Sequence, residues 1–305
     1  MPPDDTDTRN SLTRAQMRHF RLNGFLHVRN LLCPDELRLI SDETASVIVA
    51  AESKSDDSDF YYRVHEITQQ RTPYRVEYVL DKIASTRALL AHPRLLGHIE
   101  SLQGADFIPT WDSLVFKLGG AGIGHPWHRD AAPYVAECVD REVAAIDVGI
   151  YLDQSDMANC LWVIPGSHHW PESKAERVAE ELGGGGFDAS RALPLPVAAG
   201  DAIFHNIMTL HGSPASCCRL RRVVYLEFRQ VAAELACGPH TPEYIPVKQK
   251  LLRRCIMQRQ RTSYGANEQP FAYQPQSLPV VVDTPESNYR CPHEQYWRYY
   301  RPFGG

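Results

Sequence analysis

The 305-residue sequence has no apolar run of about 18 residues, so it offers no membrane-spanning helix. It also lacks positive net charge. Its 32 Lys and Arg face 37 Asp and Glu, a formal −5, which argues against a partner bound through nucleic-acid phosphates. Residues 1–10 are polar and acidic, without the basic start and apolar run of a secretory signal. None of the eight cysteines forms a C-x-x-C pair or a zinc-finger spacing, which reads as reduced thiols in a cytoplasmic protein. No internal repeat is visible. What remains, 43% apolar and 23% charged residues, is the composition of an ordinary globular chain long enough for one large domain.

Residues 1–10 read as a disordered tail and 11–305 as a single domain. In its first part, 11–106, Thr13 caps a helix running to Asn23, with Gly24 as the residue that ends it. A short strand over 25–28 follows, and Pro34 opens a second helix reaching toward Val49. Residues 51–59 form a polar loop, and 85–104 read as two short helices broken at Pro93. From 107 to 229 the texture changes. Short β-rich runs at 107–118, 143–152, 160–164, 202–204 and 222–228 alternate with Gly, Pro, Asp and Ser, the pattern of a sandwich or barrel core. In the last part, 230–305, residues 248–261 read as a helix with Val247, Leu251 and Cys255 on its apolar stripe and its Lys and Arg on a solvated face.

His128-Arg129-Asp130 sets an imidazole and a carboxylate two residues apart, on one face if the segment is a strand. With 13 His and 19 Asp, chance alone supplies about 0.8 such triplets, so the motif needs context. His211 gives that context, and Arg222 follows 11 residues later. Residues 212–220 are rich in small and turn-forming residues. A reversal there would leave His211 and Arg222 equally far from the turn, facing one interior from neighbouring strands. Two His and one carboxylate bind one face of a metal and leave three positions open, as in non-haem Fe(II) oxygenases. A planar guanidinium nearby suits a dicarboxylate cosubstrate.

Several segments then occur in a telling order. They are Leu12-Thr13-Arg14-Ala15-Gln16, Gly24-Phe25-Leu26, Asn30-Leu31-Leu32-Cys33-Pro34-Asp35-Glu36-Leu37 and Pro126-Trp127-His128-Arg129-Asp130. After these come Cys160-Leu161-Trp162-Val163-Ile164-Pro165-Gly166-Ser167-His168, Gly200-Asp201, His211-Gly212-Ser213 and Arg222. Together, over roughly residues 12–228, they resemble the phytanoyl-CoA dioxygenase family of Fe(II)/2-oxoglutarate-dependent oxygenases. The resemblance implies a mainly β fold with flanking helices around a double-stranded β-helix (jelly-roll, cupin-like) core. It implies His128, Asp130 and His211 as iron ligands, and Arg222 as the partner of the far carboxylate of 2-oxoglutarate with Ser213 nearby. Lys117 stands where some members place a further cosubstrate contact. Fe(II), 2-oxoglutarate and O2 would be consumed or held, with succinate and CO2 released as a C–H bond is oxidised. Halogenating relatives lack the carboxylate ligand, so Asp130 points to hydroxylation or a related oxidation. Two departures stand out. Ala158-Asn159 replaces the usual Asn-Gly, a turn Asn can keep through left-handed geometry, and Val148 lies where an aromatic or polar residue is common.

Tyr134, Tyr62 and Trp111 are candidates to shape the substrate pocket, although aromatics in a β core more often simply pack. His125 reads as a loop or supporting histidine, His168 and His169 as turn and packing residues, and His205 as a satisfied core histidine. The expected partner is a small organic molecule, a secondary metabolite ahead of an acyl-thioester or amino-acid derivative. The expected assembly is a monomer or homodimer, with neither nucleic acid nor membrane, and residues after 228 contribute a lid. A Zn-dependent hydrolase built on the same three ligands is the rival, and it would have no use for Arg222.

Overall fold

The computed structural model describes residues 10–53, 58–64, 69–119, 123–130, 142–216, 219–276 and 289–298. The expected tail 1–10 therefore lies almost wholly outside the described residues, as does Tyr134.

The N-terminal helices start where local chemistry allows. Helix α1 (Arg14–Asn23) opens on a capping box in which Thr13 and Gln16 satisfy each other's backbone, and it ends at Gly24 in the left-handed region (φ 80°). Gly24 has a second constraint: a Cβ there would lie 2.4 Å from Thr209 Oγ1. Strand β1 (Phe25–Val28) follows directly. Helix α2 (Pro34–Glu52) begins with Pro at its first turn and buries Ile40, Thr44 and Ile48, four residues apart on one stripe. Strands β2 (Phe60–Val64) and β3 (Arg71–Glu77) form a hairpin that composition did not reveal. Helices α3 (Val79–Lys82), α4 (Ala84–Leu90) and α5 (Pro93–Gln103) come next, the last starting at Pro93 as expected.

The β core holds β4 (Phe107–Lys117), β5 (Ile123–His128), β6 (Ala145–Tyr151), β7 (Leu161–Val163), β8 (Leu193–Leu195), β9 (Ala202–Asn206), β10 (His211–Ser216) and β11 (Arg221–Gln230). Helix α6 (Glu172–Gly183) intervenes between β7 and β8. Two antiparallel sheets result. The large one runs β1-β9-β6-β11-β4-β3-β2 and the small one β5-β10-β7-β8. This is the expected mainly β, jelly-roll architecture with helices at its sides.

Strand alternation divides the large sheet into two faces. Leu114, Phe116, Val148, Phe204, Val224 and Leu226 point outward and join Phe20, Ile40, Leu89 and Leu252 of the helices in the principal core. Each such side chain removed from water contributes about 1.5–3 kcal/mol. Val148 thus packs against helices and lines no cosubstrate pocket. On the inner face, Tyr151, Ile203 and Val223 meet Leu161, Val163 and Leu195 of the small sheet.

Four expectations fail. Residues 212–216 are strand rather than turn, and β10 pairs with β5 and β7 while β11 pairs with β4 and β6. His211 and Arg222 therefore sit in different sheets. Asn159 is not left-handed; its side chain instead accepts a hydrogen bond from the Asp156 backbone at 3.0 Å. Helix α7 (Val231–Cys237) precedes α8 (Tyr244–Arg259), whose buried side includes Lys248, Leu251, Leu252, Cys255 and Arg259. The basic face is thus not wholly solvated: Arg259 lies between Glu36 and Glu268 with N–O distances down to 2.6 Å. Cys33, Cys160, Cys255 and Cys291 are free thiols, whereas Cys237 is disulfide-bonded, against the expectation that all thiols are reduced. No described helix is long and apolar enough to cross a membrane.

Candidate active site

Strand β5 ends at His128, whose partner across the ladder is His211, the first residue of β10. Their rings lie 4.3 Å apart. Asp130 lies beyond the strand, so alternation is not what brings it near His128. Its backbone N–H donates to Ile207 O at 3.0 Å and turns the chain back toward β9. Asp130 Oδ1 then stands 3.4 Å from His128 Nε2, and Oδ2 stands 3.7 Å from His211 Nε2. One ligating atom from each of the three residues falls within 4.8 Å of the others.

The hydrogen bonds behind the imidazoles fit a metal. Pro126 O lies 2.7 Å from His128 Nδ1, and Thr209 O lies 2.9 Å from His211 Nδ1. A carbonyl can only accept, so each Nδ1 carries the proton and each Nε2 keeps a lone pair toward Asp130. Burial pulls His211 down to about 3, which keeps it neutral. Burial alone would also lower His128, but the hydrogen bond and charge of Asp130 raise it overall. Asp130 stays well below the carboxylate range: His211, His128 and His205 outweigh a burial effect that acts the other way. A ring of donors lacking any counter-cation beyond imidazole suits a divalent ion.

Farther along the inner face, Arg221 and Lys117 are direct partners on β11 and β4. Arg221 is 1% exposed and Lys117 fully buried. Arg221 Nη1 donates to Asn159 O at 2.5 Å, its Nε has no partner, and its guanidinium lies 5.9 Å from the Tyr151 ring. Lys117 Nζ donates to Pro214 O at 2.6 Å. Among the described residues no carboxylate pairs with either cation. Burial pushes Lys117 down to about 6, helped by Arg221 and Arg63. Ser213, buried beside His125 in the β10–β5 ladder, has an Oγ without a partner. A buried guanidinium and amine with spare donors and no described carboxylate partner have the chemistry that an anion would complete.

The structure does not give that position to Arg222. Arg222 is on the opposite face of β11, where Nε and Nη2 grip Asp153 at 2.9 and 2.8 Å and Nη1 reaches Ser41 O at 2.7 Å. Its fork is spent on joining the sheet to α2. Alternation along β11 puts Arg221 with Val223 and Tyr225 on the inner face and Arg222 with Val224 and Leu226 on the other. The expectation for Arg222 is corrected accordingly.

The other candidates divide. Trp111 is on the inner face, opposite Glu227, and stacks on His293 of the C-terminal segment at 4.0 Å and 7°. Tyr62 instead donates to Ala51 O of α2 at 2.9 Å and carries Arg71 over its ring, a packing role. His125 lies against Tyr74, and His168 and His169 both bond Arg21 O, as supporting and turn residues should. His205, read from sequence as a satisfied core residue, instead touches the site: its Nε2 is 2.9 Å from Asp130 Oδ2. The even spacing from His211 was the one available signal. Beside it, Gly149 leaves room for the Tyr225 ring, which a Cβ would approach to 2.8 Å.

A jelly roll with two imidazoles and a carboxylate at one end of its interior carries the donor set that a facial-triad metal site would use. Residues 20–223 match the family model for phytanoyl-CoA dioxygenase (PhyH), and the chain belongs to that family. It is 26% identical over 164 residues to the ectoine dioxygenase of Streptomyces avermitilis, covering 53% of this chain and 54% of that protein. The match thus spans about half the length of that relative. Among solved structures, AviO1 of Streptomyces viridochromogenes Tue57 aligns with TM-score 0.61 and 24% identity, over 75% of this chain and 98% of that one. SnoK, a non-haem α-ketoglutarate-dependent carbocyclase from nogalamycin biosynthesis, aligns with TM-score 0.57 and 18% identity, over 72% and 85%. Both share its fold.

Proposed function

We propose that this protein is an Fe(II)/2-oxoglutarate-dependent oxygenase that oxidises a C–H bond of a small organic molecule, with a secondary metabolite as the first substrate class. The carrying observation is the pairing of a His128/Asp130/His211 donor set with a buried guanidinium, Arg221, and a buried amine, Lys117, that no carboxylate among the described residues partners. A hydrolase would need only the first. The family match and the α-ketoglutarate dependence of SnoK support the same reading.

In this reading His128, Asp130 and His211 hold Fe(II). The bound metal, with the keto acid and O2, supplies an oxidant for C–H bonds as succinate and CO2 leave. The protein's own part is placement. Arg221 anchors the far carboxylate of the keto acid through its planar fork, and Lys117 and Ser213 add donors. Tyr151 and Tyr225 stand along the wall between the cations and the metal ligands. Trp111 and the C-terminal segment carrying His293 form one wall of the substrate side and exclude water. The whole of residues 11–305 acts as one catalytic domain, a monomer or homodimer in the cytoplasm.

The test is succinate formation by anaerobically purified apo-protein given Fe(II), 2-oxoglutarate and then O2. Slow turnover without substrate should vanish in Asp130→Ala and fall sharply in Arg221→Ala. Turnover indifferent to both changes, or hydrolytic activity supported by Zn(II) alone, would reject the assignment.

A further inference from the structure

His205 is 1% exposed and sits on β9 directly opposite Asp147 of β6. Its ring is boxed by His211, edge-on at 4.7 Å, and by Tyr225 at 90° and 6.4 Å. Nε2 lies 2.9 Å from Asp130 Oδ2. A carboxylate accepts only, so Nε2 carries the proton and donates it. One oxygen of Asp147, one oxygen of Asp130 and one His205 ring nitrogen lie within 4.8 Å of one another. His205 Nδ1 and Asp147 Oδ1 are each buried without a hydrogen-bond partner, so of the two carboxylates near the imidazole only Asp130 is bonded to it.

We infer that His205 is a positioning residue: its Nε2–H occupies Asp130 Oδ2 and confines that carboxylate to one-oxygen ligation of the metal. The inference rests on the oxygenase reading of the same site. With Oδ2 engaged, Oδ1, 3.4 Å from His128 Nε2, is the oxygen free to ligate. A metal held by two imidazoles and one carboxylate oxygen would keep more of its positions open for a chelating keto acid and O2 than one held by both carboxylate oxygens. The packing around His205 makes the constraint stiff, because its ring cannot rotate away without displacing His211 or Tyr225.

The probe is Co(II), titrated calorimetrically into the full-length apo-protein, followed by 2-oxoglutarate under anaerobic conditions. The variants are His205→Phe, His205→Asn and His205→Gln. Gln carries an amide N–H to the place of Nε2, whereas Asn is too short and Phe has no donor. Wild type should bind one Co(II). Phe and Asn should weaken Co(II) about 10–100-fold, the usual effect of removing a group that orients a ligand, and Gln should recover most of it. The affinity of the Co(II) form for 2-oxoglutarate should fall in Phe and Asn and recover in Gln, while apo melting temperatures of Asn and Gln agree. If Phe fails to fold, the Asn–Gln pair decides. Equal Co(II) and keto-acid binding by wild type, Asn and Gln would overturn the inference, as would two Co(II) per chain with one lost on changing His205. Co(II) binding that survives both His128→Ala and His211→Ala would overturn the underlying site as well. Loss of binding in those two variants, with none in the His205 series, would overturn this inference alone.

Discussion

Arg221 and Arg222 are chain neighbours with opposite surroundings, and they represent the two faces of the large sheet. Arg222 looks outward to the helices and meets a carboxylate, Asp153, with its hydrogen bonds satisfied. Arg221 looks inward, more deeply buried, and has no carboxylate among the described residues. The outer face is built for stability: apolar side chains and completed ion pairs. The inner face carries His205, Asp147, Tyr225, Arg221 and Lys117, polar groups that a purely structural interior would satisfy or omit. Among the described residues pairing is unfinished on the inner face and finished on the outer, which supports the proposed ligand site on the first.

Substitutions on the two faces should separate stability from binding. The largest stability effect is expected from Phe204→Ala on the outer face, about 4 kcal/mol by denaturant unfolding, because it opens a cavity in the main core. A loss under 1 kcal/mol would mean that the helical layer is loosely packed. Arg222→Met should follow with about 3 kcal/mol, since it strands Asp153 just past the end of β6. Lys117 sharpens the contrast through pH. Its folded value of about 6 lies far below its unfolded one, so the unfolded chain binds the extra proton between about pH 6 and 10 and Lys117 makes the apo-protein less stable as pH falls through that window. A carboxylate placed beside it raises its affinity for a proton. Binding of 2-oxoglutarate at pH 7 should therefore take up a proton, seen as binding heats that vary with the buffer's ionisation heat. Uptake should disappear below pH 6; heats independent of buffer at pH 7 would exclude Lys117 from the anion site. Smallest is Thr13→Ala, about 1 kcal/mol from loss of the α1 capping box, with no effect on keto-acid binding.

Much of this was legible in the sequence because it depends on local rules. Thr13, Gly24, Pro34 and Pro93 bound their helices through capping and fixed φ, and the strands at 25–28 and 107–117 fall where the apolar runs lie. The grouping of His128, Asp130 and His211 was legible through residue type and order. The rest depended on parity and pairing, which a single chain does not display. The register of β11 between β4 and β6 decides which of two adjacent arginines turns inward. The β2–β3 hairpin is rich in Arg and Tyr and lacks a clear apolar alternation. Lys248 and Arg259 read as solvated charges because the acids that bury Arg259, Glu36 and Glu268, are remote or follow a turn. His205 looked like core because its partner, Asp130, lies 75 residues away.

The central claim is that the inward arginine, not its neighbour, completes a keto-acid site beside the metal triad. The direct measurement is the 2-oxoglutarate dissociation constant of Fe(II)-loaded, anaerobic Arg221→Met and Arg222→Met proteins, each compared with wild type. Loss of a charge-assisted bidentate contact predicts about 100-fold weaker binding for Arg221→Met, and a change of no more than about threefold for Arg222→Met despite its lower stability. The opposite order, or equal effects in the two, would contradict the account.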